Sequence, residues 1–232
     1  LPAPQRAGGP AATPAPKARL NVVRLLGVVA VALIAVVVVA HPFRSATAAP
    51  DAARATWFAP YVDVTLTPVF PFGDTRYNPA DSDVLGFVVA GAADACTPSW
   101  GGYYTPDEAS LGIDLDRRLA TLRRRGGEPI VSFGGAVNTD LAVACTDDAA
   151  LADAYTGVLD RYDATVADFD VELDALADTA ARTRRAEAVA TVQERMGGDL
   201  QVWLTLPVAV DGLTADGVAT LEAFLAAGVE VS

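Results

Sequence analysis

Ala164-Thr165-Val166-Ala167-Asp168-Phe169-Asp170-Val171-Glu172 is the stretch on which the reading of this sequence turns. Ala164 to Val171 has the apolar and β-branched content of a strand, and strand side chains alternate between faces. Asp168, Asp170 and Glu172 therefore share one face, with neighbours roughly 7 Å apart along the chain. Phe169 and Val171 share the other. Like charges at that range push one another's pKa values up. A fold has no structural use for that arrangement, whereas an active site that needs a protonated acid near neutral pH does.

On either side of this strand the chain alternates strands with helices. Val62–Thr67, Val84–Ala90 and Pro129–Phe133 read as strands before it, Gln201–Pro207 follows it, and Val229 opens a sixth. Helical spacing covers Leu111–Arg125, with apolar positions at Leu115, Leu119 and Leu122, then Asp148–Tyr162, Thr179–Met196 and Thr214–Ala227. Such alternation means parallel strands joined by crossover helices. Neither a Gly-x-Gly-x-x-Gly turn after the first strand nor a phosphate loop occurs. Chemically loaded residues instead fall at the C-terminal ends of strands, as barrel enzymes place them. The expected fold class is α/β, a TIM (β/α)8 barrel over residues 57–232. About 175 residues to the sixth strand, against the typical ~250 of a whole barrel, leave it incomplete, with its C-terminal part missing.

Residues 1–20 are rich in Pro, Ala and Gly with scattered basic residues, the composition of a disordered tail. Leu25 to Ala40 is an uncharged run that spans roughly 24 Å as a helix, against a bilayer core of about 30 Å. Val22, Val23 and Phe43 make up the difference. Residues 21–43 are therefore expected to form one N-terminal transmembrane helix, an anchor or uncleaved signal that contacts the membrane, with 44–56 as linker. Basic residues before the run put the tail in the cytoplasm and the body outside, an extracytoplasmic, membrane-anchored location. Ala46-Thr47-Ala48 has the form of a cleavage site, so the alternative is secretion after cleavage near Ala48.

Charge divides unevenly along the chain. Residues 1–50 hold Arg6, Lys17, Arg19, Arg24 and Arg44 and no acid. The rest sets 12 of the 17 basic residues against all 29 acids, a formal charge of −17. Such a body argues against nucleic acid as a partner and suits a neutral ligand or a polymer without phosphates. The single His is His41, so the body has no Ser-His-Asp triad and no His-ligated zinc; two Cys exclude a four-cysteine site. Acid–base work falls to carboxylates, with Tyr in support. Cys96 and Cys145 each follow a predicted strand. In an exported body a disulfide joining the two loops is expected, and a pair of separately buried thiols is the alternative.

Ser132-Phe133-Gly134-Gly135 ends the third strand, and Asp168-x-Asp170-x-Glu172 lies on the fourth. Together these motifs resemble the Ser-x-Gly-Gly and Asp-x-x-Asp-x-Asp-x-Glu signatures of glycoside hydrolase family 18, the chitinases and chitinase-like proteins. The resemblance covers residues 57–232, and Trp100-Gly101-Gly102-Tyr103-Tyr104 also resembles bacterial members. It implies hydrolysis of β-1,4-linked N-acetylglucosamine polymers, chitin-like, with retention and without a cofactor or metal. That substrate-assisted route is an exception to the two-carboxylate scheme of most glycosidases, because the nucleophile is the sugar's own amide. By the resemblance Glu172 is the general acid, Asp170 orients the substrate's N-acetyl group as nucleophile, and Asp168 tunes Asp170. The family's leading Asp is Thr165 here, and Val171 stands where an aromatic is usual.

Tyr61, Trp100 and Tyr103 are candidates to contact sugar. Ser132, Gly134 and Gly135 are candidates for the same surface that read more simply as packing and turn residues. The alternatives are an endo-β-N-acetylglucosaminidase of the same family, or a catalytically silent oligosaccharide-binding protein. A remote rival uses the three carboxylates as oxygen ligands to a divalent metal.

Overall fold

The structure, a computed structural model, describes residues 58–232. The expected tail, the membrane segment 21–43, the linker and Trp57 lie outside the described residues.

The apolar, β-branched stretches form strands: β1 (Tyr61–Asp63), β2 (Ser82–Ala90), β3 (Pro98–Trp100), β4 (Glu128–Gly134), β5 (Val166–Asp170) and β6 (Gln201–Thr205). All but β3 lie parallel, in the sheet order β1-β2-β4-β5-β6; β3 pairs antiparallel with β2. The connecting helices are α1 (Pro106–Gly112), α2 (Leu115–Arg124), α3 (Leu141–Ala144), α4 (Asp148–Arg161), α5 (Leu173–Ala177), α6 (Thr179–Arg195) and α7 (Ala215–Ala226). A short hairpin, β7 (Val208–Ala209) with β8 (Gly212–Leu213), precedes α7.

Local chemistry sets the helix starts. Thr105 and Glu108 form a reciprocal capping box ahead of Pro106, and the side chains of Asp147, Asp178 and Thr214 accept from backbone N–H groups one turn on. These bonds satisfy donors that a helix N-terminus leaves orphaned.

Several boundaries differ from the sequence expectation, each for a local reason. The single helix expected over 111–125 is divided at Asp114, whose left-handed φ of 56° turns the chain between α1 and α2. Strand β1 stops at Asp63, because the Asp63 carboxylate accepts the N–H and hydroxyl of Thr65 and draws the chain into a turn. The sixth strand is reduced to one parallel bridge between Val202 and Val231.

The described strands form an open sheet. The fold class needs one correction, to its transmembrane helix. Among the described residues no helix is long and apolar enough to cross a membrane. Among these helices α6 has 17 residues and carries Arg182, Arg184, Arg185 and Arg195. Helices of this kind serve as crossovers, one face on the sheet and the other polar.

Behind β5 the core is aromatic. Phe169 stacks on Phe133 at 5.4 Å and meets Tyr155 and Phe224 edge-on. Burying each such ring is worth about 1.5–3 kcal/mol. Buried nearby, Arg185 of α6 pairs with Asp140, the cap of α3, at 2.9 Å. Cys96, in the β2–β3 connection, is joined by a disulfide to Cys145 at the end of α3, 49 positions further along the chain.

Candidate active site

Strand alternation carries the reading of residues 164–172 into three dimensions. Phe169 and Val171 are buried in the helix-side core, while Asp168 and Asp170 face the other side of the sheet. The register places Ser132 of β4 and Trp203 of β6 beside Asp168, and Gly134 and Thr205 beside Asp170. Thr165, the position that departs from the family signature, is exposed and precedes the strand.

Asp168 is fully buried and held by three hydroxyls from three strands. Ser132 donates to its Oδ2 at 2.6 Å and Tyr61 to the same oxygen at 3.0 Å. Thr205 donates to Oδ1 at 2.8 Å. Burial pushes the Asp168 carboxyl above the usual range, and the hydrogen bonds from Ser132, Thr205 and Tyr61 pull it back.

Asp170 is only 6% exposed, and its Oδ1 has no hydrogen-bond partner among the described residues. Its pKa is pushed up to about 7, first by burial, then by the charges of Glu172 and Asp168 and by a hydrogen bond to Glu172. Near neutrality it is therefore about half protonated, where an ordinary carboxyl is ionised. Glu172 lies just past the strand, where the chain leaves the sheet. Val171 donates its N–H to the Thr205 carbonyl, and Leu173 adopts a left-handed φ of 49° to open α5. For a bulky residue that conformation is an outlier costing on the order of 1–3 kcal/mol, of the kind that gathers at active sites.

Tyr61, Phe87, Asp170, Glu172, Thr205 and Leu206 line a cleft of about 320 Å³. Tyr61 closes one wall by stacking its ring on Phe87, with centroids 5.9 Å apart. An adjoining cavity of about 540 Å³ runs over Asp168 and Trp203. The candidate metal reading gains nothing here: among the described residues no three His, Cys, Asp or Glu side chains are arranged to hold a metal ion.

The glycines of the Ser-x-Gly-Gly run have a structural explanation. A Cβ on Gly134, at φ 107°, would stand 2.2 Å from the Asp170 carbonyl oxygen, and one on Gly135 would strike the Phe87 ring at 2.9 Å. Gly135 also donates its N–H to that Asp170 carbonyl at 2.8 Å. The pair lets β4 close on β5, which fixes where Asp170 sits.

Not every sequence candidate converges on the cleft. Trp100 is wholly buried, with its indole N–H donated to the Tyr162 hydroxyl at 2.8 Å, so its ring is core and offers no face to a sugar. Tyr103 is 75% exposed on the loop after β3 and does not line the cleft. Cys96 and Cys145 staple loops outside it. Sequence reasoning missed Thr205 and Phe87. The signal for Thr205 was its place at the C-terminal end of a predicted strand, where barrel-type enzymes carry their chemistry.

A parallel α/β sheet that sets a buried carboxyl, its pKa pushed up to about 7, beside a second at a strand end is suited to general acid–base chemistry. No family model matches the chain. It is 35% identical over 179 residues, 75% of its length, to a probable bifunctional chitinase/lysozyme of Escherichia coli strain K12. To endochitinase 11 of Metarhizium anisopliae it is 34% identical over 182 residues. The chain spans 20% and 33% of those two relatives. The catalytic domain of a hyperthermophilic chitinase from Pyrococcus furiosus is similar over 75% of this chain and 54% of that one, at 28% identity and a TM-score of 0.63. Catalytic-site mutants of active domain 2 of a chitinase from that organism are known in complex with chito-oligosaccharides. The body of this chain is a chitinase-like domain of glycoside hydrolase family 18.

Proposed function

We propose that the full-length protein hydrolyses β-1,4-linked N-acetylglucosamine polymers by a retaining, substrate-assisted route. The observation that carries this reading is a buried Asp170 lining one cleft with Glu172 at the end of β5, next to an Asp168 held by three hydroxyls. Glu172 protonates the glycosidic oxygen as the bond breaks. The carbonyl oxygen of the sugar's own N-acetyl group attacks the anomeric carbon, and Asp170 orients that amide and steadies the charge its nitrogen gains. Water then opens the cyclic intermediate, with the Glu172 carboxylate taking the water's proton. Two displacements at one carbon return the original configuration. The relatives that this chain resembles are chitinases, which supports a chitin-type substrate. The disulfide supports a site of action outside the reducing cytoplasm.

The test is hydrolysis of a fluorogenic N-acetylglucosamine oligomer by the full-length protein, with Glu172→Gln and a chelator in parallel. The expected result is a loss of kcat of about 10²–10⁴-fold in Glu172→Gln, with oligomer binding kept and no effect of the chelator. Wild-type protein that binds the oligomer and never cuts it overturns the reading and leaves an oligosaccharide-binding protein.

A further inference from the structure

We propose that Thr205 is a positioning residue of this site: its hydroxyl, presented by β6, holds Asp168 and Tyr61 in the proton arrangement that keeps Asp168 ionised beneath Asp170. The inference rests on the glycosidase reading and adds to it a residue outside both sequence motifs.

The geometry is a closed triangle of oxygens. Thr205 Oγ1 lies 2.8 Å from Asp168 Oδ1 and 2.7 Å from the Tyr61 hydroxyl, which is itself 3.0 Å from Asp168 Oδ2. Each hydroxyl has one proton to give. With Asp168 ionised, Thr205 donates to the carboxylate, and the Tyr61 proton is directed to Thr205 Oγ1 or to Asp168 Oδ2. Ser132 supplies the remaining donor to Oδ2. With Asp168 protonated, one hydroxyl must turn to accept, and the set loses a donor. The triangle therefore favours the anion.

The hydroxyls are the counterweight to burial at this point. The groups that act on Asp168 are Tyr61 from β1, Ser132 from β4 and Thr205 from β6, none of them a cation. Along its own strand it faces only Asp170 and, beyond that, Glu172. Thr205 is also the best anchored of the exposed-side donors. Its backbone is in register with Asp170, its carbonyl accepts the Val171 N–H, and a β-branched side chain has little freedom at χ1. Its influence passes to Asp170 through charge: an ionised Asp168 helps Asp170 retain its proton.

The experiment uses the full-length protein carrying Thr205→Val, which keeps the shape and removes the hydroxyl, with Thr205→Ala as a second hydroxyl-free variant and Thr205→Ser as the rescue. Carboxylate ¹³C shifts of labelled Asp, assigned with Asp168→Asn and Asp170→Asn, give the titration midpoints. The loss of the hydroxyl is expected to raise the Asp168 midpoint by about one pH unit, tenfold in proton affinity, and to lower that of Asp170. On the oligomer substrate kcat is expected to fall about 10–100-fold with KM little changed, and the pH profile to move with the Asp170 midpoint. Thr205→Ser should restore both readouts to within a few fold. Unchanged midpoints in folded Thr205→Val and Thr205→Ala, or a Thr205→Ser that behaves as they do, overturn the proposal. If wild type cuts no oligomer the glycosidase reading fails, and the midpoints still decide the role of Thr205.

Discussion

Asp170 joins near-complete burial to two carboxylate neighbours, and this combination makes pH the natural probe of the site. Burial and the neighbouring carboxylates push the Asp170 pKa up to about 7, so its proton is expected to leave near that pH. Activity is therefore expected to have an alkaline limb near pH 7, above which kcat/KM falls about tenfold per pH unit. Stability follows the same group. Its folded-state pKa is raised, so the folded protein binds the extra proton between the unfolded value near 4 and about 7, and stability is lost as pH rises through that window. Thermal melts at pH 5 and pH 8 should show the higher Tm at pH 5, and Asp170→Asn should narrow the gap. A melt that rises with pH across this range would contradict the burial of a protonated Asp170. The carboxylates themselves were legible in sequence because alternation along a strand is a property of neighbours. Their protonation was legible only in part: the mutual repulsion follows from spacing, but burial, the largest contribution, depends on what covers them.

At the scale of elements, the connections are held as firmly as the strands. The disulfide ties the β2–β3 connection to the end of α3 across 49 residues of chain, and cross-linking a loop of that length restricts the unfolded chain by about 2–4 kcal/mol. The double variant Cys96→Ser/Cys145→Ser is expected to lose that much in denaturant unfolding. Its carboxylate cleft should keep its kcat, because the staple joins loops that do not line the cleft. Element type was readable from periodicity, whereas boundaries were not. The Asx turn at Asp63, the left-handed Asp114 and the left-handed Leu173 each override a local pattern with one backbone angle or one side-chain bond. Trp100 shows the same limit for side chains. A Trp between strand and glycines suits a sugar platform, and only the packed position of Tyr162, brought in by the end of α4, makes it core.

At the scale of the whole molecule, the acidic body predicts how binding responds to salt. A neutral oligosaccharide releases no counterions, so its affinity should change less than about twofold between 50 and 500 mM salt, and the body should not retain nucleic acid at either. A steep salt dependence in a binding titration would point to a charged substrate. The sheet as a whole also builds the site, since it bends far enough for Tyr61 of β1 to meet Thr205 of β6, residues 144 positions apart, over the carboxylate of β5. By itself the sequence determined the alternation of strand and helix, the shared face of Asp168, Asp170 and Glu172, and the reliance on carboxylates in a body without His. Those are local or compositional facts. Only the tertiary structure decided that three hydroxyls close on Asp168 and that Trp100 is buried. The reason is that contacts across 107 or 144 residues depend on how the sheet curves, and no periodicity within a single element encodes that curvature.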